Sequence, residues 1–90
     1  MKHDEFYGAI AAEFELDKSL ADHSLLESDL GFDSLGMFDL VLFIEEVAGV
    51  QPEDQRAMDY PMMTTLGDAY AYCEALEAQF STHGRAARNG

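Results

Sequence analysis

Basic residues are scarce in this chain: five lysines and arginines stand against eighteen aspartates and glutamates in ninety residues. Between Ala21 and Tyr60 ten acids (Asp22, Glu27, Asp29, Asp33, Asp39, Glu45, Glu46, Glu53, Asp54 and Asp59) meet one base, Arg56. A field of that sign argues against nucleic acid and anionic membranes and suits basic protein partners. Cysteine occurs once, at Cys73, so no internal disulfide can form, and no second cysteine or nearby histidine stands at metal-ligand spacing. The expectation is a soluble protein in a reducing, cytoplasmic setting. No apolar run approaches the roughly 20 residues of a membrane span, and the first residues lack the basic and apolar regions of a signal peptide. Internal repeats and strand-like alternation are missing too, which leaves an all-α architecture.

What is present supports one domain with one modest core. Hydrophobic content of 48% is enough for folding despite the charge, and a chain this short buries about 60% of its unfolded surface. Phe6, Tyr7, Ile10 and Phe14 recur at helical spacing and predict a first helix over Glu5 to Glu15, with Asp4 as its N-cap. Leu16 to Asp33 shows no long periodicity. A connection of that length must be functional or held to the core, here by Leu20, Leu25, Leu26 and Leu30, with a short helical turn at the Ser24 to Glu27 capping-box pattern. Ser34 to Ala48, closed by Gly49, is the strongest helical stretch. Gln51 to Pro61 reads as an acidic connector with a short helix near Glu53 to Met58. Thr65 to Asp68 opens a last helix that carries Leu66, Ala69, Tyr70, Cys73, Leu76 and Phe80 on one face and ends near Gln79 or Phe80. Cys73 on that face is a small core residue. The expected architecture is a bundle of three main helices plus one or two short ones, over residues 1–80, with 81–90 a disordered tail.

The helix after Ser34 divides into two sectors when each residue advances about 100°. Met37, Leu40, Val41, Phe43, Ile44, Val47 and Ala48 form a core stripe. Ser34, Leu35, Phe38, Asp39, Leu42, Glu45 and Glu46 share the other side, which holds all three charges of the helix and should face water. An apolar strip of Leu35, Phe38 and Leu42 among carboxylates, continuous with a serine, has the character of a partner-docking surface. The serine itself stands where unpaired amides and the helix dipole favour an anion; an unmodified serine there is otherwise an N-cap.

Asp29-Leu30-Gly31-Phe32-Asp33-Ser34-Leu35, with Asp39-Leu40, Ile44-Glu45-Glu46, Gly49-Val50 and Thr65-Leu66-Gly67-Asp68-Ala69, resembles the acyl carrier protein family from about Phe6 to Phe80. The resemblance implies a carrier and no catalytic residue: Ser34 would hold 4'-phosphopantetheine taken from coenzyme A, and Asp33 would lie in the transferase footprint. It also implies that Leu35, Phe38, Asp39, Leu42, Glu45 and Glu46 meet partner enzymes. The implied partners are a phosphopantetheinyl transferase, an acyl- or aminoacyl-loading enzyme, and synthases or transferases with basic patches, all served by a monomer. Fatty-acid, polyketide or related secondary metabolism would be the setting. Gly36 departs from the usual acidic or polar residue and is similar to the motif of D-alanyl carrier proteins, so an aminoacyl cargo is the alternative. Val47-Ala48 departs as well, replacing a usual acid and aromatic.

Rival readings fail on spacing. A calcium loop begun at Asp29 has Gly31 at its third position, Ser34 at its sixth and Leu40 at its twelfth, against the required ligands and glycine. A serine hydrolase lacks the nucleophile elbow, and His3, His23 and His83 are scattered. An acidic helical adaptor without any cofactor is the alternative of another class.

Overall fold

Among the described residues, three α-helices surround one hydrophobic core: α1 (His3–Glu13), α2 (Ser34–Ala48) and α3 (Leu66–Leu76). The computed structural model describes residues 1–17, 19–55 and 60–81, the last by its backbone. Residues 82–90 of the expected 81–90 tail and much of the expected helix near Glu53 to Met58 lie outside the described residues, apart from a 3-10 turn at Pro52–Asp54; Ser81 itself closes a helical turn. No strand occurs among the described residues, as the all-α reading requires.

Phe6 and Ile10 of α1, Leu40, Val41 and Ile44 of α2, and Leu66, Ala69 and Cys73 of α3 are fully buried together. Leu26 and Phe32 of the long connection complete the centre at 1% and 5% exposure, whereas Leu20 and Leu30 pack at its margin and Leu25 stays exposed. Cys73 is a core residue, and burial above all, with Glu77 adding to it, pushes its thiol up to about 11. α1 starts earlier than expected: Lys2 takes the N-cap position without a side-chain bond, and Asp4 is already in the first turn. It also ends earlier, with Glu15 in the left-handed region at φ 53° and the Leu16 N–H returning to the Ala11 carbonyl.

Backbone bonds hold the long connection. The Leu26 N–H donates to the Thr64 carbonyl, the Leu66 N–H to Ser24 and the Gly67 N–H to Asp22, all within 3.0 Å, around an antiparallel Leu25–Thr65 bridge. Ser24 opens no helix; its hydroxyl accepts from the Ala21 N–H, and the Asp29 carboxylate accepts from the Leu25 N–H. The connection is therefore a run of turns sewn to the start of α3. A second clamp is aromatic: His3 stacks on Tyr70 at 3.8 Å between centroids and stands edge-on to Tyr7, whose hydroxyl donates to Asp22.

α3 opens with a full capping box. Thr65 accepts from the Asp68 N–H while the Asp68 carboxylate accepts from the Thr64 and Thr65 N–H groups, which holds its pKa below the ordinary carboxylate value. The helix runs to Leu76 and continues as one π-helical turn, Glu77–Ser81.

Candidate functional site

The site begins with a glycine. Gly31, at φ 80°, turns the chain between the Leu25–Leu30 turns and the buried Phe32, and so brings Asp33 and Ser34 to the surface. Asp33, not Ser34, is the N-cap of α2: its carboxylate accepts from the Gly36 N–H at 2.8 Å. Ser34 is consequently the first helical residue, exposed, with its hydroxyl released from capping duty. Gly36 explains its own presence, because a Cβ there would stand 3.2 Å from both the Asp33 carboxylate and the Phe32 ring. The far end of α2 closes on Gly49 at φ 85°, where the Gly49 and Val50 N–H groups reach back to the Glu46 and Glu45 carbonyls.

Around the serine lies a shallow recess lined by Glu27, Gly31, Phe32, Asp33 and Ser34. The amides at the start of α2 have no intrahelical acceptor and carry the positive end of the helix dipole. An exposed hydroxyl, a free approach and these amides fit a phosphodiester at Ser34, and Asp33 is already turned to its own cap bond. One turn further along α2, Met37 enters the wall of a larger cavity of about 800 Å³, completed by Leu25, Leu26, Glu27, Ser28, Tyr60, Met62, Met63 and Thr64. Its lining is chiefly apolar, and Glu27 belongs to both spaces. Glu27, Tyr60 and Met63 are not site residues in the sequence patterning; only folding brings the turns before Ser34 against the strap before α3.

The water-facing side of α2 follows the expectation in part. Leu35 is 78% exposed, Asp39 and Glu46 are exposed, and Phe38 and Leu42 are half-buried against the core. Glu45 departs from it. Expected to face water, it is 1% exposed and lines a small space with Asp54, Pro61, Tyr72, Leu76, Gln79 and Phe80. The end of α3 and the turn after it cover that flank. The buried arc of α2 is accordingly turned toward Glu45, and Met37, Phe43 and Val47, expected in the core, are only half-buried. Asp39, Leu42 and Glu46 then form, with Leu35, a single outward stripe.

No cluster of three or more histidine, cysteine or acidic side chains among the described residues is arranged to hold a metal, and no helix among them is long and apolar enough to cross a membrane. No family model and no solved structure matches the chain. An acyl carrier protein of Treponema denticola is 34% identical to it over 67 residues, which span 73% of this chain and 82% of that relative. With so much of a relative's length matched at that identity, on an all-helical fold, the chain belongs to the acyl carrier protein family and has a carrier's role.

Proposed function

We propose that this chain is a phosphopantetheine-dependent carrier that bears its arm on Ser34 and delivers an acyl group to partner enzymes. The observation that carries the reading is the exposed Ser34 hydroxyl at the first turn of α2, left open because Asp33 caps the helix in its place. When bound, 4'-phosphopantetheine supplies a terminal thiol that holds cargo as a thioester. The chain contributes position: the α2 amides stabilise the phosphodiester charge, and the recess beside Glu27 and Phe32 leaves room around the attachment atom. The adjoining cavity favours an acyl over an amino acid cargo, since its lining of Leu25, Leu26, Met37, Tyr60 and Met63 rewards apolar chain at about 0.8 kcal/mol per buried methylene.

Docking falls to Leu35, Phe38, Asp39, Leu42 and Glu46, with charge guiding encounter and the apolar members holding the complex. Glu45 lies beneath that surface and serves the packing of α2 on α3. The test is intact mass after incubation with coenzyme A and a broad-specificity phosphopantetheinyl transferase. One added arm on the native chain and none on Ser34→Ala is the expected result; an unchanged native mass beside a labelled control carrier, or a gain that survives in Ser34→Ala, would overturn it.

A further inference from the structure

Three of the five methionines, Met37, Met62 and Met63, line the large cavity beside Ser34. Met37 comes from α2, one turn past the serine, and the adjacent pair from the strap that leads to α3. Their burial is graded. Met63 is 8% exposed and belongs to the core, Met37 is half-buried against it, and Met62 is 92% exposed, which puts it at the cavity mouth. A thioether is apolar enough to line a wall for hydrocarbon, but a peroxide turns it into a sulfoxide, which is strongly polar.

We propose that Met62 is an oxidation site for hydrogen peroxide and that its sulfoxide weakens the cavity's hold on apolar chain. In the step, a sulfur–oxygen bond forms as the peroxide O–O bond breaks. The Met62 sulfur gives up two electrons, and the departing oxygen takes the peroxide's proton and leaves as water. Access selects the residue: Met62 meets solvent on nearly every side, whereas Met63 is shielded by the core. Cys73 is fully buried, and burial keeps its thiol protonated, so the other sulfur chemistry of the chain does not compete. At the mouth, the new S–O dipole holds water where an acyl chain would enter, and a chain that displaces that water leaves the dipole without a partner. The change is reversible, because methionine sulfoxide reductases return the thioether. The inference rests on the proposed reading of this cavity as the seat of apolar cargo and adds its dependence on oxidation; it does not require Ser34 to be loaded.

The experiment treats the full chain with dilute hydrogen peroxide, places each added oxygen by fragment masses, and titrates the product with the neutral apolar dye phenylnaphthylamine. Met62 is expected to gain its oxygen well before Met37 and Met63. Exposed Met1 is oxidised as well, but it lines no part of the cavity. Dye binding should weaken by about fourfold once Met62 is oxidised, the worth of roughly one buried methylene. Met62→Leu should lose no binding on the same peroxide dose, Met62→Gln should match the sulfoxide without peroxide, and the reductases should restore the oxidised parent. Equal oxidation rates at Met62 and Met63, unchanged binding after Met62 is oxidised, or an equal peroxide effect in Met62→Leu would each overturn the proposal. A native chain that binds no dye would overturn the apolar-cargo reading and this inference with it, whereas the mass gain at Ser34 tests the carrier reading by itself.

Discussion

At Glu15 a residue of ordinary sterics adopts the left-handed conformation, φ 53°, in the place where a helix commonly ends on glycine. That conformation costs an L-residue roughly 1–2 kcal/mol, part of which glycine returns through its freer unfolded chain. Glu15→Gly is expected to stabilise the fold by about 0.5–1 kcal/mol in urea unfolding, Glu15→Asn by less. Glu15→Gln reports the effect of the charge alone; if it matches glycine, conformation is not the cause. Gly36 is the converse case. Alanine would gain up to about 1 kcal/mol of helix propensity, but its Cβ would press on the Asp33 cap and the Phe32 ring at 3.2 Å. Gly36→Ala should therefore raise stability by clearly less than that gain, and a full gain would mean that the cap yields freely. Residue identity gives Gly36 only as a departure from the usual acidic or polar residue, whereas contact distances show it as the space that the cap occupies.

Some helix ends are announced by their own residues and others are decided by their neighbours. The start of α3 was readable as Thr65-x-x-Asp68, a pattern that satisfies its own amides and needs no distant partner. Asp68 gives that cap a pH signature. Its pKa is lowered in the fold by the Thr64 and Thr65 N–H groups, so its contribution is present above the ordinary carboxylate pKa and is lost as pH falls through the lower, folded value. The acid limb of a melting-temperature profile should be shallower in Asp68→Asn than in the parent. Parallel limbs would show that the cap contributes no linkage. The turns at Ser24 follow the opposite rule: the Ser24 to Glu27 pattern offers a local cap, but the backbone of that connection pairs instead with Thr64, Leu66 and Gly67.

For the whole molecule, the formal charge of −13 sets both partner choice and a cost in self-repulsion. Raising the concentration of sodium chloride, and more strongly of a divalent cation, is expected to raise the melting temperature; a flat or falling trend would mean that folding brings the acids no closer than the unfolded chain does. The three-helix plan, the buried Cys73 and the placing of Ser34 at a helix start were legible, because apolar spacing at 3.6 residues and glycine punctuation act over one or two turns of chain. Glu45 was not. A helical wheel assigns carboxylates to water, and only the end of α3 and the turn beyond it, some thirty residues later, cover that flank.

By itself the sequence determined the helices, the acidity and the serine that leads α2, since each follows from local sterics, periodicity or composition. Tertiary structure decided how far α2 is rolled toward Glu45, and that the Ser34 surface adjoins one cavity while the outer stripe adjoins a groove with α1. Those outcomes depend on where chain segments far apart in sequence come to rest against each other, and no window of neighbouring residues contains that information.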